Sequence, residues 1–175
     1  VAGGPLPFYW IDLFAICQWP GDKQTEDMPS DVAAADHGFR RVIASAGKTL
    51  ALLGQWDVPS PLGRIWCLYE LWASHLARAQ LEVVLTSESR AHLRSRLATG
   101  ELDVVGSVTR TIDVANAQAE REEDKKRILE LVEREGGVHG VNVAVKQVLN
   151  TWIARAAIDF AAEPDAETDL VAGVA

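Results

Sequence analysis

The sequence has few of the residues on which several classes of protein depend. Cys17 and Cys67 are the only cysteines in 175 residues, which argues against a disulfide framework. They predict reduced thiols in an intracellular protein, either in the cytosol or in an organelle interior, and a cytoplasmic location is the expectation. The 17 Lys and Arg against 25 Asp and Glu give a net charge of −8, which argues against binding to nucleic-acid phosphates and to anionic membrane surfaces. Apolar runs all stay below the roughly 18 residues that a transmembrane helix needs, so no membrane insertion is expected.

Signals for metals, phosphate loops and export are also missing. The four histidines lack the spacing of metal ligands, so no metal centre is predicted. Gly47-Lys48-Thr49 is not a phosphate-binding loop, because Val42 stands where that motif needs its first glycine. The first residues lack the charged start and apolar run of a signal peptide. The chain has no initiating Met, which predicts that it belongs to a longer protein. One domain is expected over residues 1–162, with an acidic tail at 163–175.

The most informative stretch is residues 64–72, where aromatic side chains surround one carboxylate. Ser60-Pro61 is typical of a helix start, so the pattern predicts a helix from about Pro61 to Gln80. On that helix Trp66 and Glu70 are four residues apart and share a face, with Gly63 two turns before Glu70. Glu70 then lies beside an indole at the edge of the apolar face. It is either a candidate for catalysis or a boundary glutamate paired with a nearby arginine. A second face of this helix is predicted to form core: Leu68, Leu71, Trp72, His75 and Leu76.

Three apolar runs separated by helical patterns predict neighbouring parallel strands at Phe8–Ile16, Thr49–Gln55 and Leu81–Leu85. Asp12 interrupts the first run, either to accept backbone N–H groups or to serve a site. The resulting order of elements is that of a doubly wound α/β domain.

The remaining elements are predicted from local signals. Helices are expected over Ala33–Ala46, Glu88–Thr99 and Asp113–Glu135, and a last helix is expected to be capped by Asn142. The β-branched residues within Leu102–Val114 predict a fourth strand. The last helix carries an apolar face made of Val145, Val148, Leu149, Trp152, Ile153 and Ala156.

The loop after the second strand marks the expected site. In open α/β sheets, ligands bind where parallel strands end. Trp56 and Asp57 lie in that loop, so we expect them to form one cleft with Gly63, Trp66 and Glu70. Asp12 should approach the same cleft from the neighbouring strand.

The segment Trp66-Cys67-Leu68-Tyr69-Glu70-Leu71 resembles the Trp-Cys-x-x-Glu-Leu signature of Toll/interleukin-1 receptor (TIR) domains, above all those of plants and of protists such as algae. The order of elements agrees from Phe8 to Thr86, about half of the chain. The resemblance implies an α/β, flavodoxin-like three-layer sandwich with a mainly parallel sheet and, in this chain, additional C-terminal helices. The first strand of the family has no counterpart before Phe8, so either it lies upstream in a longer protein or the fold lacks it.

The resemblance implies one of two functions. Some TIR domains assemble with themselves or with partner chains, and the missing first strand favours such an interaction module. Others cleave NAD+ at the nicotinamide–ribose bond, with the glutamate that corresponds to Glu70 as the catalytic carboxylate. A carboxylate near the ribose can stabilise the oxocarbenium-like transition state of such a reaction, with NAD+ as substrate and without a metal or other cofactor. The residues expected to bind the nucleotide are Asp12, Trp56, Asp57, Gly63, Arg64 and Trp66. Arg64 replaces a small residue of the family, and it is expected either to bind a ligand phosphate or to pair with Glu70.

Overall fold

The structure is a computed structural model that describes residues 40–162, without the side chains of Leu102, Val104 and Val105. These residues fall within one compact unit, which begins at Gly38. The strand expected at Phe8–Ile16, with Asp12, lies outside the described residues. So do the first part of the helix expected at Ala33–Ala46 and the acidic tail.

The described part is a mixed α/β structure, mostly helical, with a two-stranded parallel sheet. Its elements, in chain order, are α1 (the helical residues 40–46), β1 (Lys48–Gly54), a 3₁₀ turn (Ser60–Gly63), α2 (Ile65–Leu76), β2 (Gln80–Leu85), α3 (Ser87–Ala98), α4 (Leu102–Arg110), α5 (Glu122–Glu135) and α6 (Gly137–Ala162).

The two predicted strands within the described residues are confirmed, and they pair in parallel. The register runs from Lys48 opposite Gln80 to Leu52 opposite Val84. Gly47 ends α1, because it takes the left-handed conformation (φ +65°) and donates its N–H to the carbonyl of Ile43 at 3.0 Å. This turn brings the chain directly from helix into strand.

The helix predicted from Pro61 to Gln80 is shorter than expected at both ends. Ser60–Gly63 form a separate 3₁₀ turn, and Arg64 is extended (φ −100°, ψ 128°), so α2 begins only at Ile65. The reason is a tertiary contact, since Arg64 forms a parallel bridge with Gln118. At the other end α2 stops at Leu76, because Arg78 takes the left-handed conformation (φ 53°) and turns the chain into β2, where the Gln80 N–H donates to the Gly47 carbonyl.

The core face of α2 is confirmed only in part. Leu68, Leu71 and Trp72 are buried, but His75 and Leu76 are exposed because the last turn of the helix lies at the surface. Tyr69 is also buried, and its hydroxyl accepts hydrogen bonds from Nε and Nη2 of Arg40, at 3.2 and 3.1 Å. The Arg40 guanidinium also lies over the Tyr69 and Trp72 rings, 5.7 and 5.3 Å from their centroids. Tyr69 and Trp72 are therefore core residues.

The fourth strand predicted within Leu102–Val114 is wrong, because Leu102–Arg110 form α4. Helical spacing lets Val108 pack against the buried cluster that contains Trp56 and Leu93, and this packing overrides the β preference of the segment. The helix predicted over Glu88–Thr99 is confirmed as α3. Its N-cap is Thr86, whose hydroxyl oxygen accepts the Ser89 N–H at 3.2 Å.

The helix predicted over Asp113–Glu135 forms only from Glu122, and residues 111–121 are irregular. Asn142 does not cap the last helix, since α6 already begins at Gly137. Three members of the apolar face predicted for this helix are buried, namely Val145, Leu149 and Ala156. Val148, Trp152 and Ile153 are half-buried.

Candidate functional site

A polar cleft of about 280 Å³ lies between the 3₁₀ turn and the irregular segment after α4. The first wall contains Ser60, Gly63 and Arg64, which immediately precede α2. The second wall contains Thr111, Asp113, Asn116 and Gln118. The first wall is the 3₁₀ turn followed by the extended Arg64, and the second wall is irregular.

Backbone hydrogen bonds join the two walls. The Gln118 N–H donates to the Gly63 carbonyl at 2.7 Å, and the Ile65 N–H donates to the Gln118 carbonyl at 2.9 Å. Arg64 stays extended between these two bonds, in the bridge with Gln118. The cleft is therefore preorganised by main-chain pairing and does not depend on side-chain packing alone.

Asp113 is the only carboxylate among the described residues that line the cleft, and three donors surround it. Its Oδ1 accepts hydrogen bonds from the Ala115 N–H at 3.1 Å and from Asn142 Nδ2 at 3.2 Å. Its Oδ2 accepts one from Asn116 Nδ2 at 2.7 Å. These bonds lower the pKa of Asp113 below its ordinary value, and the bond from Asn142 is the main cause.

Two of the predicted nucleotide-binding residues, Gly63 and Arg64, line this cleft and are exposed. Trp66 and Glu70 lie on α2, four residues apart as predicted, and both are half-buried. Neither of them lines the cleft. The Trp66 ring meets Tyr69 edge to face, with 6.4 Å between the ring centroids.

The other two predicted residues in this part of the chain lie elsewhere. Trp56 is only 3% exposed and packs in a buried cluster with Leu93, Ala156 and Phe160. Its backbone N–H donates to Ser89 Oγ of α3 at 2.9 Å. Asp57 is exposed, with its Oδ2 4.0 Å from His92 Nδ1. Among the described residues, the single cleft predicted for Trp56, Asp57, Gly63, Trp66 and Glu70 is therefore not formed.

The spacing argument fails at Gly63 and Trp56 for physical reasons. Gly63 belongs to the 3₁₀ turn, so it does not continue the helical face of Trp66 and Glu70. Trp56 gains more from burial of its large apolar ring than it would in an exposed loop. Asp12 lies outside the described residues.

The second wall of the cleft was not predicted, because its residues were assigned to a strand and a helix. One local signal was available in the sequence Asp113-Val114-Ala115-Asn116. An Asp side chain that bonds the backbone N–H two residues later favours a turn over a helix, as Asp113 and Ala115 show.

The described residues contain no group of three or more His, Cys, Asp or Glu side chains placed to hold a metal ion. Within the same residues, none of the helices has the length and apolar character needed to cross a membrane. A scan of protein-family models and searches of curated proteins and of solved structures found no match to this chain.

Proposed function

We propose that this chain is a TIR-like interaction module of flavodoxin-like type that assembles with itself through the outer face of its parallel sheet. The observation that carries the proposal is the exposure of three apolar side chains on that face. Leu50 is 39% exposed, Leu52 is 69% exposed and Val84 is 38% exposed.

Parallel sheets are ordinarily covered on both faces. The inner face here meets the helices, with Thr49 Oγ1 and Ser74 Oγ of α2 2.8 Å apart and with β2 in contact with α3 and α6. The outer face carries exposed apolar side chains instead. Strand alternation places Leu50 and Leu52 on the same side of the sheet, and the register sets Leu52 opposite Val84. A patch of this kind on a parallel sheet is typical of a surface that another layer covers.

The charges beside the patch suit a second copy of the chain. Lys48 and Glu82 form an ion pair at one end of the outer face. In a two-fold dimer the same surface meets itself, so Lys48 of each copy can approach Glu82 of its partner. Full burial of a Leu or Val side chain is worth about 1.5–3 kcal/mol before the costs of association are subtracted. A pair of these patches therefore supports weak to moderate self-association.

Sedimentation velocity over a micromolar concentration series tests this proposal. The wild type should show a concentration-dependent dimer, and Leu52→Glu should be monomeric because it places a carboxylate in the apolar interface. Val143→Glu is the matched control, since Val143 is 48% exposed but lies on α6, and it should associate like the wild type. A monomeric wild type, or a Leu52→Glu variant that still dimerises, would overturn the proposal.

A second candidate function is cleavage of NAD+ with Glu70 as the catalytic carboxylate. Its support is the position of Glu70, half-buried on α2 one turn after the half-buried Trp66. At such a position the carboxylate is partly shielded from water, which strengthens its electrostatic stabilisation of a cation, and it is still accessible to a substrate. The burial of Trp56 in the core removes one of the residues expected to bind the nucleotide, so this function ranks second.

A further inference from the structure

We propose that the cleft between Ser60–Gly63 and residues 111–118 binds a small anionic polyol, of which a sugar phosphate is the representative. Arg64 would bind the anionic group, and Asp113 would accept a hydrogen bond from a hydroxyl of the ligand. This site is independent of the sheet face on which self-association is proposed.

The acceptor capacity of Asp113 supports a hydroxyl ligand. An ionised carboxylate offers about four lone-pair directions, two on each oxygen. Oδ1 already accepts two hydrogen bonds, from Ala115 and Asn142, whereas Oδ2 accepts one, from Asn116. One direction on Oδ2 is thus left for a further donor. A single remaining acceptor suits a hydroxyl better than a cation, which would seek several oxygen ligands.

Arg64 supplies the positive charge. Its side chain is exposed and lines the cleft, and the ion pairs found among the described residues do not include it. A guanidinium binds phosphate or carboxylate oxygens through two parallel N–H groups, which gives both strength and orientation. The backbone bridge to Gln118 fixes the base of this side chain, so little backbone entropy is lost on binding.

The remaining lining groups and the volume narrow the ligand class. The Thr111 hydroxyl donates to the Val108 carbonyl at 2.8 Å, which leaves the Thr111 oxygen as an acceptor. Ser60 and Gln118 add one hydroxyl and one amide. The volume of about 280 Å³ lies just below the range of about 300–1,000 Å³ that is typical of drug-sized ligands, so a ligand of pentose size is favoured.

Isothermal titration calorimetry on the full chain with ribose phosphate, ribose and inorganic phosphate tests the assignment. Ribose phosphate should bind, and ribose and inorganic phosphate should each bind at least about tenfold more weakly, because each lacks one of the two groups recognised. Arg64→Gln should weaken ribose phosphate binding by at least about tenfold. Arg155→Gln, which removes an exposed arginine from α6, is the matched control and should bind like the wild type.

The results that overturn the assignment are distinct from those that concern self-association. Absence of binding by ribose phosphate, or equal binding by Arg64→Gln and Arg155→Gln, would refute the site. Equal affinity for inorganic phosphate and ribose phosphate would refute recognition of the polyol. Leu52→Glu lies outside the cleft and should bind ribose phosphate like the wild type, so loss of dimers alone leaves this result unchanged. Circular dichroism of each variant establishes that it is folded.

Discussion

The side-chain carbonyl of Asn142, on α6, accepts a 2.9 Å hydrogen bond from the backbone N–H of Val114. The same side chain donates through Nδ2 to Asp113 Oδ1 at 3.2 Å. Val114 is fully buried, so its N–H depends on this amide for a partner. Asn142 thereby joins the long C-terminal helix to the segment that forms the second wall of the cleft.

Replacement of Asn142 by Ala should lower the free energy of unfolding by about 1–3 kcal/mol, because it leaves the buried Val114 N–H without an acceptor. Urea unfolding at neutral pH measures the change. Asn150→Ala, at an exposed position of the same helix, is the control and should stay within about 0.5 kcal/mol of the wild type. Equal effects of the two substitutions would show that the bond to Val114 contributes nothing to stability.

The lowered pKa of Asp113 predicts a specific loss of stability in acid. The main cause is the hydrogen bond from Asn142 Nδ2, which favours the ionised form in the folded chain. Because the folded pKa lies below the unfolded one, the stabilisation is fully present above about pH 4 and is lost as pH falls through the folded pKa. The stability difference between wild type and Asp113→Asn should therefore be largest near neutral pH and shrink in acid.

Unfolding free energies of both proteins at a series of pH values from neutral downwards check this dependence. Asp103→Asn, at an exposed position of α4, is the control for a carboxylate without those hydrogen bonds. A difference between wild type and Asp113→Asn that stays constant over the whole pH series would contradict the prediction.

Local sequence signals were sufficient for the elements that depend on short-range physics. The run Leu50–Leu53 predicted β1, and Gly47 marked the end of α1 because its positive φ suits glycine. The apolar periodicity of α6 likewise placed Val145 and Leu149 in the core. In each case the residues that decide the structure are neighbours in the chain.

The failures share a different cause, which is contact between distant segments. α2 begins only after Arg64 because Arg64 pairs with Gln118. The residues next to Arg64 in the sequence carry no signal that predicts this pairing. α4 is helical because packing of Val108 outweighs the β preference of its segment. Two residues of the first wall of the cleft, Gly63 and Arg64, were predicted from the sequence. The second wall could not be predicted, because it depends on how residues 111–118 fold back onto the 3₁₀ turn.

Because Trp56 is buried, we predict that it contributes to the stability of the folded chain. Trp56→Ala should lower the free energy of unfolding by about 3–5 kcal/mol, because it leaves a cavity beside Leu93 and Phe160. Trp66→Ala should cost clearly less, since Trp66 is only half-buried. Urea unfolding measures the free energy of unfolding of both variants. A larger decrease for Trp66→Ala than for Trp56→Ala would show that Trp56 is not the core residue of the pair.

Glu70 distinguishes the two candidate functions. If the chain cleaves NAD+, Glu70→Gln keeps the size of the side chain but removes the negative charge that stabilises a cationic transition state. The rate should then fall about 100-fold or more, which corresponds to roughly 3 kcal/mol. Nicotinamide release is the measurement, and Glu130→Gln, at an exposed position of α5, is the matched control. Equal rates for wild type and Glu70→Gln would exclude the carboxylate from catalysis. Since the interaction module is the favoured function, we expect folded wild-type protein to release no nicotinamide even at concentrations at which it self-associates.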